Sequence, residues 1–173
     1  MNPHEKRLKE LESRLRADNP VKVIETIKLL RNEEPFHGVI RLLAELYNAT
    51  SNMQVKSQVA EFMNDMKEKT LAVEVVTEIK KKYKNDTTKM LASSCWQSGI
   101  DYAPYASEFA QVFVSGDFET AIECFTVIES NIHGIARKTK DHMIILLRES
   151  DNLKNSQKSA LMQELLVLLA AGE

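Results

Sequence analysis

Apolar residues recur along this chain at intervals of three and four, the period of a helix with one buried stripe. Residues 3–16 carry Leu8, Leu11 and Leu15 on one side, and the stretch from Pro20 carries Val23, Ile24, Ile27 and Leu30. The same pattern predicts helices over residues 36–47 (Val39, Ile40, Leu43, Leu46), 52–66 (Val55, Val59, Phe62, Met63) and 71–83 (Val75, Val76, Ile79). It continues over 87–98 (Met90, Leu91, Cys95, Trp96), 102–114 (Ala106, Phe109, Ala110, Phe113) and 118–130 (Ile122, Phe125, Ile128). Two more follow, over 137–148 (Met143, Ile144, Leu147) and 156–170 (Leu161, Leu165, Leu168, Leu169). About ten helices result, and no β-branched run bounded by turn residues predicts a strand.

The breaks between these segments carry start and stop chemistry. Asn2 is placed to cap the first helix, Pro3 suits its first position, and Glu5 completes a capping box. Asp18-Asn19-Pro20 closes that helix and opens the next, which Pro35 ends because the residue before proline is pushed out of helix. Pro104 falls in a first turn, where it is harmless. Gly99, Gly116 and Gly134 lie between helices, where a stop favours a left-handed residue.

Every second helix begins after a short polar residue: Asn19, Asn52, Asp86, Asp117 and Asn155, in steps of 33, 34, 31 and 38. Those steps lie within the ~30–47-residue range of helical repeats. Aligning the five on that residue brings Leu29, Phe62, Trp96, Val127 and Leu165 into one apolar column ten positions on, which predicts a core position. One helix pair cannot bury its stripe alone, so pairs must stack into a continuous interior. Short connections make consecutive helices antiparallel neighbours. A closed helical bundle satisfies the same periodicity; the regular spacing favours the solenoid.

Asn19-Pro20-Val21-Lys22 and Asn52-Met53-Gln54-Val55-Lys56 look like the start of the second helix in the HEAT-repeat family. The run from Met90 to Gly99, followed by a helix and then Ser115-Gly116-Asp117, is the nearest match. The chain thus resembles HEAT-like, armadillo-type repeats from about residue 19 onward. It departs from their usual arginine at the second-helix start: Lys89 keeps the charge and Thr120 does not. The resemblance implies an all-α, right-handed α–α superhelix over residues 1–173 as one domain, with a helix at 1–17 and about four pairs over 19–173. It also implies that the second helices line a concave face and that the role is scaffold or recognition, without chemistry. Helix order then places Lys56, Lys89, Gln97, Glu119, Glu123 and Lys158 on that face.

Composition changes this picture little. Apolar residues make up 43% and charged ones 28%, ordinary for a globular chain, and glycine and proline are scarce. The net charge of −2 supplies no field that recruits nucleic acid or an anionic membrane. The longest apolar run, 165–171, is far short of the ~20 residues that span a bilayer, and the charged opening residues leave no place for a leader's apolar stretch. The chain is expected to be cytoplasmic, with Cys95 and Cys124 as buried free thiols.

Candidate chemistry is sparse. His4, His37, His133 and His142 never fall on adjacent turns of one helix, so no metal site is expected. The glycines form no phosphate cradle, and Ser93 and Ser94 have no acid or histidine at helical spacing to activate them. No cofactor is expected and the chain is read as a non-enzyme. The densest basic run, Lys80, Lys81, Lys82 and Lys84, reads as a solvated helix end offsetting the dipole. Should it converge with Lys89, it would make the basic groove of the alternative reading, a HEAT-type nucleic-acid-binding or DNA-processing protein.

The leading expectation is a protein-binding or scaffold module with another protein as its partner. Leu161, Met162, Leu165, Leu166, Leu168 and Leu169 cover a wide arc of the last helix, which predicts an apolar excess at Leu166 and Leu169 and self-association through that helix. The plainer account is a cap with Val167 alone exposed.

Overall fold

A computed structural model describes residues 1–150 and 157–171. Among them lie ten α-helices and no strand: α1 (Pro3–Leu15), α2 (Pro20–Leu30), α3 (Val39–Ala49), α4 (Met53–Asp65), α5 (Ala72–Ile79), α6 (Asn85–Gln97), α7 (Ala106–Ser115), α8 (Phe118–Ser130), α9 (Arg137–Glu149) and α10 (Lys158–Ala170). Short 3₁₀ turns at Lys69–Leu71, Ala103–Tyr105 and Ile132–Gly134 lead out of or into them.

Four of the ten starts carry a local side-chain cap. The Asn2 side chain accepts the Glu5 N–H at 2.8 Å while Glu5 accepts the Asn2 N–H at 3.1 Å, a complete capping box. Asn19 caps α2 through the Val21 N–H, Asn52 caps α4 through Gln54 and Val55, and Asp117 caps α8 through Thr120. The sixth helix departs from expectation. It begins at Asn85 with Lys84 at the cap position, not after Asp86. Asn48, at the end of α3, supplies the missing cap from another helix: its Oδ1 accepts the Lys84 N–H at 2.9 Å and the Thr87 hydroxyl at 3.0 Å. The four described cap positions Asn19, Asn52, Lys84 and Asp117 therefore stand 33, 32 and 33 residues apart. The expected start after Asn155 lies outside the described residues.

Two other boundaries move for identifiable reasons. The third helix starts at Val39, because Gly38 takes a left-handed φ of 96° and its N–H is held by the Glu74 carboxylate of α5. The left-handed backbone selects glycine, and a Cβ there would also push aside the Leu8 methyl 2.7 Å away. The fifth helix stops at Ile79, four residues early, where the buried Glu78 accepts from Lys81 Nζ and Tyr83 Oη at 2.6 Å each and folds the lysine run back on the helix end. Of the three glycines expected in left-handed stops, Gly99 has a positive φ (72°), whereas Gly116 is extended.

The helices form two ranks. Even-numbered helices pack side by side in the order α2, α4, α6, α8, α10, and each also packs on the odd-numbered helix before it. In the other rank α1 packs on α3, α3 on α5, and α7 on α9. Between α5 and α7 that rank opens into a cleft of about 300 Å³ lined by Val73, Val76, Thr77, Lys80, Tyr105 and Glu108. One continuous core runs between the ranks, with Ile27, Ile40, Leu43, Met63, Leu91, Phe109, Phe113, Ile128, Met143 and Leu147 all fully buried. Each such side chain contributes about 1.5–3 kcal/mol on leaving water, which is what makes one pair lean on the next.

The corrected start of α6 also corrects the repeat register. Leu29 is 57% exposed and Trp96 39% exposed, so the column ten positions after the caps is not uniformly core. Eleven positions on, Leu30, Met63, Cys95 and Ile128 are all buried; seven positions on, so are Thr26, Val59, Leu91 and Cys124. A shift of two residues, 200° around a helix, carries Trp96 from the expected interior to the surface.

Candidate interaction surface

The outward side of the even-numbered rank is organised by bridges from one helix to the next. Lys56 Nζ of α4 meets Asp86 Oδ2 of α6 at 2.5 Å, and Lys89 Nζ of α6 meets Glu119 Oε2 of α8 at 2.5 Å. At the other end Arg31, which closes α2, meets Glu61 of α4 at 2.8 Å and also Asp65. Three of these bridges, Arg31–Glu61, Lys56–Asp86 and Lys89–Glu119, join residues 30 apart. Asp86 and Glu119 each lie in the first turn of their helix, where the dipole favours an anion.

The electrostatics follow from these contacts. The hydrogen bond from Lys56 holds the Asp86 carboxyl below its ordinary value, and the bond to Glu119 raises the Lys89 ammonium above its own. Tyr47 of α3 lies beside Lys56, with Nζ 4.8 Å from the ring centre, and partial burial raises its hydroxyl. Further along, the Trp96 indole N–H donates to Glu123 Oε2 at 2.7 Å, tying α6 to α8 a second time.

Four of the residues placed on this face by helix order make contacts between helices, Lys56, Lys89 and Glu119 in ion pairs and Glu123 with Trp96; Gln97 is exposed at the end of α6, its amide donating to Ser93 of the same helix. Lys158 is not among them. It is buried, and its ammonium donates to the carbonyl oxygens of Phe113, Val114 and Gly116 at 3.0, 2.7 and 2.7 Å. It completes the C-terminus of α7, whose last carbonyls have no helical partner. Leu169 is likewise removed from the surface, at 0% exposure, because α8 and α9 together cover the inner side of α10. Leu166 is half-buried, and the outer side of α10 shows Ala160, Gln163, Glu164 and Val167.

Exposed apolar side chains are distributed unevenly. Of the ten large ones exposed among the described residues, Val21, Leu29, Met53, Trp96, Phe118, Ile122 and Val167 lie on even-numbered helices. Val21, Met53 and Phe118 fall in first turns, on the same edge as the Lys56–Asp86 and Lys89–Glu119 bridges. Of the basic run, Lys81 is held by Glu78, while Lys80, Lys82 and Lys84 are exposed; Lys89, beyond the run, is held by Glu119. Helix α8 contains Glu119, Glu123 and Glu129 with no lysine or arginine.

The remaining reactive groups sit apart from this face. Cys95 and Cys124 are free and buried; burial pushes the Cys95 thiol up to about 12 and raises Cys124 as well, so neither supplies a thiolate near neutral pH. Ser94 donates to the Leu91 carbonyl at 2.6 Å, which accounts for its hydroxyl. His37 pairs with Glu74 at 2.6 Å, and His4 sets its ring edge-on to Phe36. Among the described residues no three His, Cys, Asp or Glu side chains converge as a metal would need, and no helix is long and apolar enough to cross a membrane.

Helix order alone missed the Arg31 bridges and the open cleft of about 730 Å³ beside them, lined by Lys28, Arg31, Pro35, Phe62, Asp65 and Lys67 among others. The recurring 30-residue separation of base and acid was the available signal. No family model matches this chain, and neither does any curated protein or solved structure.

Proposed function

We propose that this chain is a non-enzymatic protein-docking module of HEAT-like architecture that engages its partner through the outward side of the even-numbered helices. The observation that carries the proposal is the uneven placement of exposed apolar residues, seven of ten on the helices of that rank, of which Leu29 lines a cleft against α1. Large exposed apolar side chains grouped on one face mark a surface that another macromolecule covers. Two of the cations there, Lys56 and Lys89, are engaged by neighbouring carboxylates, which favours a protein over a phosphate backbone. The 33-, 32- and 33-residue spacing and the two-rank packing support the HEAT-like reading, in which a right-handed superhelix presents this rank as its concave side. Buried free thiols suit a reducing compartment such as the cytoplasm.

Site-specific photo-crosslinking tests this reading. A photoreactive side chain is placed at Met53 or Ile122 on the even rank, and at Val73 or Ile145 on the odd rank, all of them exposed. Protein adducts confined to the even-rank positions are expected in extracts of the native host. Adducts of equal yield on both ranks, adducts to nucleic acid, or no adduct at all would each overturn the reading.

A further inference from the structure

The outward face has a chemical gradient along it. Toward α2 and α4 its charges are mixed, with Lys22, Glu25 and Lys28 on α2. Toward α8 and α10 they are of one sign. Helix α8 contributes only carboxylates, and the one cation in α10, Lys158, is buried beneath the end of α7. That lysine sits at the first position of α10 and reaches carbonyls just before α8 begins, so the N-terminal ends of α8 and α10 lie together. Their outer sides form one surface on which Glu129 and Glu164 are exposed and Glu123 is half-exposed.

Apolar side chains are interleaved with those acids. Phe118 and Ile122 lie one turn apart on α8, and Trp96 stands alongside, anchored by Glu123. All three are between 38% and 39% exposed. An apolar strip edged by carboxylates, with no lysine or arginine in α8 and that of α10 buried, complements one kind of segment: apolar residues flanked by lysine or arginine.

We infer that the α6–α8–α10 end of this face docks a cationic amphipathic segment of a partner protein, its apolar side on Trp96, Phe118 and Ile122 and its lysine or arginine residues on Glu123, Glu129 and Glu164. This rests on the docking role proposed above and narrows it to one partner chemistry. Opposite charges would accelerate encounter and set orientation, while the aromatic and aliphatic contacts hold the complex.

The chain has a single tryptophan, so Trp96 emission reports occupancy directly. The probes are two synthetic amphipathic helices of equal length, one of leucine and lysine, the other of leucine and glutamate. The lysine peptide is expected to shift Trp96 emission saturably, with an affinity that falls as salt is added. A triple variant, Glu123→Gln with Glu129→Gln and Glu164→Gln, is expected to weaken it roughly tenfold. A charge-matched control, Glu10→Gln with Glu25→Gln and Glu34→Gln at the opposite end of the molecule, should change it by less than about twofold. Equal binding of both peptides, equal weakening by the two triple variants, or no emission shift would overturn the inference. Protein crosslinks from Ile122 that persist unchanged in the Glu123/Glu129/Glu164 variant would leave the docking role standing and remove the cationic partner. Absence of those crosslinks removes the docking role itself.

Discussion

Lys158 illustrates how one side chain settles whether a helix stays attached. Its stem crosses apolar surface from α10, and its ammonium reaches three carbonyl oxygens at the end of α7. Those carbonyls are left over by the helix itself, and buried acceptors without a donor are costly. Substituting Lys158→Met keeps the stem and removes the donors. We expect a loss of about 1.5–3 kcal/mol, the range for hydrogen bonds to a charged group. Urea unfolding followed by circular dichroism would measure it, and a change below about 0.3 kcal/mol would mean the carbonyls find other partners. Position alone gave no hint of this role. A lysine at the start of an amphipathic helix reads as solvated, and its acceptors lie 42 to 45 residues earlier in the chain. Leu169 misled for the opposite reason: the apolar arc of α10 is wide because two helices, α8 and α9, press on it.

At the scale of the element, what was legible was what a helix does to itself. Asn2, Asn19, Asn52 and Asp117 were readable as caps because the donor each satisfies lies two or three residues away. The start of α6 and the end of α5 were not, because Asn48 caps from 36 residues away and Glu78 is buried by packing. The misplaced start of α6 in turn hid Trp96 in the core. Lys56, Lys89, Glu119 and Glu123 were found by helix order, although their pairing was not. That pairing has a pH signature. Asp86 is lowered from its ordinary 3.8, so its contribution is present above pH 3.8 and is lost as pH falls through the depressed value. Lys89 is raised from 10.5, so its contribution is complete below pH 10.5 and is lost as pH climbs through the raised value. Between those limits the bridges act at full strength. A double-mutant cycle of Lys56→Met and Asp86→Asn should give a coupling of about 0.5–1 kcal/mol at pH 7, modest because Asp86 is 45% exposed. The coupling should shrink as the pH is taken down from 3.8; a pH-independent value would show that the pair is not ionic.

Among the described residues the main packing is within a helix pair or between adjacent pairs: α2 packs on α1 and α4, α3 also on α6, and α9 on α7 and α10. Stability in such an array is close to a sum of local and nearest-neighbour contributions, whereas a closed globule shares one fate. Ile27 of α2 and Leu147 of α9 are both at 0% exposure at opposite ends of the same core, which makes them a matched pair of lesions. Each truncation to alanine should cost about 2–5 kcal/mol where it is made. Hydrogen exchange should then report the damage by location. Ile27→Ala should release amides of α1 to α4 while those of α8 to α10 keep their protection, and Leu147→Ala should do the reverse. Equal loss over all ten helices in both variants would show that the core responds as one unit. If the gradient is observed, the mixed-charge end at α2 and the acidic end at α8 and α10 are separable in energy as well as in chemistry. A lesion at the α2 end would then weaken its own fold without changing what the acidic end binds.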